Sequence, residues 1–222
     1  MSANGKMEMM KVDPLRLIRP TLYYALLSTA LLGCTTLATQ HPAYNQPLPR
    51  ATREAELNHV TTWTINGNMA IQHAQKSESA SVNWAQSPTH YTISFLGPLG
   101  IGGATLSGTA AQVTLTEDNG QVRTANNPDA LVLQTLHWKL PVTPLFYWIR
   151  GLAAPNLLST ETFDRFNHLT LLTQQGWQIR YLAYSGIQDI DLPARLLLTH
   201  EGVVVKIVIT DWKIPAESLG IA

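Results

Sequence analysis

Cysteine is almost missing from this chain: one residue in 222. No intrachain disulfide can form, so stability must come from a packed core. Charge is scarce too, at 14% of residues, and neither sign dominates, with 15 Lys and Arg against 15 Asp and Glu. Four of the basic and two of the acidic residues precede Cys34, so 11 and 13 remain from there on. A chain without clustered basic residues lacks the electrostatic footprint of a nucleic-acid binder. No Gly-x-Ser-x-Gly elbow occurs, and seven histidines (His41, His59, His73, His90, His137, His168, His200) are scattered without His-x-x-x-His or Cys/His spacing. These gaps leave no nucleophile motif, and a metal site would have to assemble from long-range contacts. No cofactor motif is present, and none is expected to be needed. Apolar residues, by contrast, make up 45% of the chain, enough to bury a sizeable core in one or at most two domains.

The N-terminus carries a basic stretch and then an apolar run, 21–32. The run has the length of a signal-peptide core and is too short to span a bilayer, which takes roughly 20 apolar residues. It ends in Leu31-Leu32-Gly33-Cys34, which resembles the lipobox of bacterial lipoproteins. That resemblance implies thioether lipidation of Cys34, cleavage before it, and acylation of the new amino group. Several acyl chains on one residue anchor stably where one chain binds only marginally. Residues 1–33 are therefore expected to be a lipoprotein signal peptide. Residues 34–50, polar and carrying Pro42, Pro47 and Pro49, read as a lipid-anchored tether, and 51–222 as the folded domain. Thr35 stands where inner-membrane lipoproteins place Asp, so by the same resemblance the destination is the outer membrane, on its periplasmic face.

Beyond a short helix near 51–60, apolar and polar residues alternate in 63–71, 79–86, 90–96, 103–107, 112–117 and 121–124. Period two marks half-buried strands. Asp118-Asn119-Gly120 supplies the turn chemistry of a hairpin. Two helices are expected over 128–137 and 144–151, the second opened by Pro144 and stopped by Gly151. Strands resume over 169–173, 177–184, 194–199 and 203–212. The last two are nearly unbroken apolar runs, which predicts that both sheet faces are covered there. The two central helices are the only elements able to cover the inner side. The pattern gives a mainly β (α+β) fold, a curved antiparallel sheet with helices packed into its concavity as a lid or plug.

Asp189 and Asp191 flank Ile190 before Pro193. One Asp-x-Asp lacks the oxygens calcium requires, and the segment reads as a solvated turn. Gly97-Pro98-Leu99-Gly100-Ile101-Gly102-Gly103 lacks the following helix and Lys-Ser/Thr of a phosphate loop. It does place Leu99 and Ile101 at a tip between two strands, and exposed apolar tips mark contact surfaces. A prong that meets lipid is the functional expectation; a leucine folded back onto the core is the alternative.

Taken together, five features resemble the LolB family. They are the lipobox at 31–34, the strand at 63–71 with Gly67 at its centre, Gly97-Pro98-Leu99-Gly100, the 144–152 segment with Trp148 and Gly151-Leu152, and Thr210-Asp211-Trp212 near the end. The resemblance spans essentially all of the chain beyond Cys34 and departs at Gly97 and at the glycine-rich Ile101-Gly102-Gly103. It implies an incomplete antiparallel β-barrel whose helical lid encloses an apolar cavity for acyl chains. It further implies receipt of lipoprotein cargo from the periplasmic carrier LolA and insertion into outer-membrane lipid, without enzymatic chemistry. Pro98, Leu99, Gly100 and Ile101 would form the membrane-insertion loop. The candidate cavity residues are Trp84, Phe95, Leu145, Phe146, Trp148, Trp177 and Tyr181, and a monomer is expected. Three rivals remain at this point: a lipoprotein holding another lipid or glycolipid, a periplasmic enzyme carrying a buried His and carboxylate pair, and an assembly protein with a closed core.

Overall fold

The computed structural model describes residues 42–219 except 75, 101 and 110; Cys34, the signal segment and Ile101 lie outside them. The alternating segments form eleven strands: β1 (Trp63–His73), β2 (Lys76–Gln86), β3 (Tyr91–Leu96), β4 (Gly103–Gly108), β5 (Val113–Glu117), β6 (Val122–Ala125), β7 (Ser159–Phe163), β8 (Leu169–Gln174), β9 (Trp177–Ile187), β10 (Ile190–His200) and β11 (Val203–Lys213). They join one antiparallel sheet in the order β6-β5-β4-β3-β2-β1-β11-β10-β9-β8-β7, with β6 and β7 at its two edges. The sheet is open, a barrel left incomplete. Its curvature has a local cause. β1 carries a bulge between Asn66 and Gly67, and a Cβ on Gly67 would lie 2.3 Å from the Val208 carbonyl oxygen. Only glycine permits that approach, and bulges bend the strand that bears them.

Antiparallel pairing distributes the turns between two rims. The upper rim carries the turns at 74–75, 97–102, 118–121, 175–176 and 201–202 and the 155–158 loop that enters β7. The lower rim carries 87–90, 109–112, 164–168 and 188–189, together with the entry to β1.

Three α-helices accompany the sheet among the described residues: α1 (Arg50–His59), α2 (Pro128–Leu136) and α3 (Val142–Trp148). Asn127 caps α2 by accepting from the Ala130 amide at 3.1 Å, with Pro128 in the first turn, as helix starts favour. α3 begins two residues before the expected Pro144, which falls within its first turn. Leu131 and Val132 of α2, and Val142, Leu145 and Trp148 of α3, join the same core as the inward residues of the sheet.

Three expectations need correction. β7, sequence Ser-Thr-Glu-Thr-Phe, was not visible as a strand, because an edge strand needs no apolar alternation. β10 starts at Ile190, so Asp191 is part of a strand and is buried rather than solvated. The outer face of β11 is open, with Lys206 and Val208 exposed. Its apolar runs reflect the preference of β-branched residues for strands, not a covering layer.

Candidate functional site: the concave face and the upper rim

α3 crosses the concavity and touches both halves of the sheet. The ring of Phe146 meets Trp84 of β2 at 5.2 Å and Tyr91 of β3 at 4.8 Å between centroids. Two residues on, Trp148 lies 6.4 Å from the Trp177 ring of β9, and the Tyr181 hydroxyl donates to the Trp148 carbonyl at 2.9 Å. Leu145 is buried beside them. Farther up, Phe95 receives the ring of Trp138 edge-on at 5.2 Å. Of the seven side chains singled out in the sequence, Trp84, Phe95, Trp177 and Tyr181 line the concave face of the sheet, while Leu145, Phe146 and Trp148 belong to α3 itself. The two sets pack against each other, so the concavity is filled by the helices in this closed arrangement.

Three polar atoms on that face stand apart. The indole nitrogens of Trp63 and Trp84 and the Tyr91 hydroxyl are buried without a hydrogen-bond partner among the described residues. Burial and the nearby Asp129 push the Tyr91 hydroxyl up to about 12, so it stays protonated and able to donate. Unpaired buried donors weaken a closed interface.

The helical cover is fastened at the upper rim. Trp138, in the connector between α2 and α3, donates its indole N–H to Glu78 Oε2 of β2 at 2.8 Å. Beside this strap opens a groove of about 490 Å³ lined by Glu78, Ala80, Phe95, Pro98, Leu136 and Trp138. The strap was not foreseen, since a lone tryptophan after a helix carries no motif.

Residues 97–100 form a tight β-turn at the mouth of that groove, with Leu99 and Gly100 at positive φ. Gly97 N–H donates to the Gly102 carbonyl at 2.7 Å and Gly100 N–H to Gly97 at 3.1 Å, closing the loop on itself. Leu99 sits at its tip with φ 59° and ψ 18° and is 97% exposed. It does not fold back onto the core. A left-handed leucine is strained by about 1–2 kcal/mol, and such strain concentrates at working loops.

The lower rim holds the buried His and carboxylate pair that an enzyme would want. His168 Nδ1 lies 3.0 Å from Asp164 Oδ2, and Nε2 lies 2.9 Å from Asp191 Oδ2. Asp191 also accepts from the Tyr44 and Asn45 amides at 2.6 and 3.0 Å, and Arg53 Nη1 stands 3.9 Å away. Burial alone would raise the Asp191 carboxyl, but the hydrogen bonds from His168, Tyr44 and Asn45 together hold it below the ordinary 3.8. Asp164 is lowered for the same reasons, its burial outweighed by bonds from His168 and Phe166. Both imidazole nitrogens are occupied, so the ring has no free base position to offer a substrate. The cluster is a latch that ties residues 42–45 and α1 to β8 and β10.

The described residues thus form an open antiparallel half-barrel whose apolar hollow is stoppered by two short helices, with a leucine tip at the rim. The family model described as "Outer membrane lipoprotein LolB" matches residues 61–212. Among curated relatives, the outer-membrane lipoprotein LolB of Coxiella burnetii (strain RSA 493) is 35% identical over 199 residues, covering 88% of this chain and 94% of the relative. The protein of the same name from Pseudomonas syringae pv. syringae is 35% identical over 198 residues, covering 88% and 96%. A crystal structure of a LolA superfamily protein from Nitrosomonas europaea overlays with a TM-score of 0.46 at 10% identity, covering 76% of this chain and 94% of that one. The chain belongs to the LolB family and is an outer-membrane, lipid-anchored lipoprotein.

Proposed function

We propose that this protein receives lipoproteins from the periplasmic carrier LolA by taking their acyl chains into the concave face, and then inserts them into the outer membrane. The observation that carries the reading is the construction of the hollow. Its wall is apolar and aromatic from Trp84 to Trp177, yet its cover is only a nine-residue and a seven-residue helix held at the rim by the Trp138 to Glu78 strap. Displacing α2 and α3 exposes the surface an acyl chain needs, and the groove beside Phe95 and Pro98 is where entry starts.

Each methylene kept from water contributes about 0.8 kcal/mol, so no acyl chain crosses free solvent and the two hollows must face each other during transfer. Small differences in burial then drive the hand-over. No covalent step, metal or cofactor is required, and the chain works as a monomer rather than as an enzyme. Cys34 carries the acyl anchor on the periplasmic face of the outer membrane. Pro98, Leu99 and Gly100, with Ile101 beside them, form the loop that enters lipid at the release step.

The test is transfer of a radiolabelled lipoprotein from its LolA complex to this protein and on into liposomes, with wild type compared against Leu99→Glu. Uptake by both, with release failing only in the variant, is the expected result. A wild type that never takes cargo from the carrier removes the receptor reading and leaves a lipoprotein that stores another lipid or glycolipid.

A further inference from the structure

Nine large apolar side chains are exposed among the described residues, and five of them, Leu96, Leu99, Val122, Leu157 and Leu158, stand at the upper rim. Leu99 and Leu158 exceed all others, each at 97%. Scattered exposed leucines are ordinary; two fully exposed ones on the same rim are not. They occupy opposite halves of the sheet. Leu99 lies between β3 and β4, and Leu158 immediately precedes β7, whose first residue pairs with Gln174 at the upper end of β8. Asp118 and Glu201 are the only charged residues in the turns of this rim.

The loop under Leu158 is held firmly from below. Gln174 is 1% exposed and satisfies its whole amide there. Its Oε1 accepts from the Ala154 amide at 2.9 Å and from Trp148 Nε1 at 2.8 Å, while its Nε2 donates to the carbonyls of Ala154 at 2.9 Å and Leu157 at 3.3 Å. Leu158 is therefore fixed between a backbone group bonded to the core and a paired strand residue. A chain fixed this closely still turns its leucine outward.

We infer that Leu158, with Leu157 behind it, is a second bilayer contact, so that the domain meets lipid at two separated points of one rim. This deepens the insertion step proposed above and rests on it. The family's anchoring at the outer membrane puts a lipid surface within reach. Two tips on opposite halves of a curved sheet are met together by a plane, whereas a convex partner entering the hollow touches its inner wall first. Two contacts also do what one cannot. A single prong leaves the domain free to rotate about it, and a second fixes the tilt, so that the groove beside Phe95 faces the bilayer.

The lone native cysteine makes the test clean, because lipidation occupies the Cys34 sulfur and an introduced cysteine is then the sole free thiol. The full lipidated chain carrying Leu158→Cys, Leu99→Cys or Thr89→Cys is labelled with an environment-sensitive nitrobenzoxadiazole dye and reconstituted in phosphatidylethanolamine and phosphatidylglycerol liposomes. Some of the lipids carry a nitroxide just below the headgroup. Quenching at 158 and 99 but not at 89, which lies on the lower rim, is expected. Quenching at 99 alone overturns the second contact and leaves the insertion reading standing; quenching at neither overturns both. Shielding of 158 from water only when carrier is added overturns the bilayer assignment in favour of a carrier surface. In the transfer assay Leu158→Glu is expected to slow release into liposomes about tenfold, from the burial of one leucine, with uptake from carrier and melting temperature unchanged. Release at the wild-type rate would also overturn the proposal.

Discussion

At the lower rim Asp191 and His168 are each 2% exposed and Arg53 4%, and all three are bonded. At the upper rim Leu99 and Leu158 are each 97% exposed. One rim has buried its charge and the other has left its leucines in water. A buried carboxylate is tolerable only when paired, so the lower cluster exists to fix the incoming chain onto the sheet. An exposed leucine forgoes about 1.5–3 kcal/mol of burial, and the Leu99 loop keeps it exposed under backbone strain, which is what the proposed lipid contact accounts for. The lower rim stabilises, and the upper rim is where the proposed lipid contacts stand.

The contrast can be broken from the lower side first. Asp191→Ala takes away the carboxylate that His168 Nε2 and the Tyr44 and Asn45 amides share and that stands beside Arg53, and is expected to cost about 3–5 kcal/mol, read as a fall in the midpoint of urea unfolding. The pH dependence follows from the same group. Its folded-state value lies below 3.8, so the latch stabilises fully above that unfolded value and weakens as pH falls through the lower folded one. Wild type should lose stability below about pH 4, and Asp191→Asn should flatten that limb in acid denaturation.

Between the rims in size comes the strap. Glu78→Leu removes the acceptor of Trp138 and is expected to loosen the cover by about 1–3 kcal/mol, so that a fluorescent fatty acid enters faster while the fold stays intact. Unchanged uptake kinetics would mean that the α2 to α3 connector is not the gate. The smallest change in stability belongs to the prong. Leu99→Gly relieves the left-handed strain and loosens the unfolded chain by a similar amount, so stability shifts by no more than about 1 kcal/mol. Release into liposomes should nevertheless collapse. Equal losses of stability and release would make Leu99 a structural residue after all.

Most of the sheet could be read from alternation, because nine of its strands bury one face and that leaves a period in the sequence, while the exposed β6 was marked by the Asn119-Gly120 turn before it. β7 had no such period, being a polar edge. The concave wall was legible for the same reason as the strands, since Trp84, Phe95, Trp177 and Tyr181 fall on inward positions. The latch was not legible. Asp164 and His168 share one turn, but Asp191 lies beyond two further strands and Arg53 in the first helix, and Asp-x-Pro looks like a turn until the partners across the sheet are known. Leu158 could have been found. Pro155-Asn156 places two turn formers directly before Leu157 and Leu158, as Gly97-Pro98 does before Leu99.

The most direct measurement places a photoreactive benzoylphenylalanine at Phe146, on α3 inside the hollow, and in separate proteins at Asn83, on the outer face of β2. Each is then mixed with a LolA complex whose cargo is radiolabelled in its acyl chains. Adducts to the acyl chains at 146 and none at 83 are predicted. Transfer that proceeds with no adduct at 146, or with equal adducts at both positions, would contradict binding in the concave face.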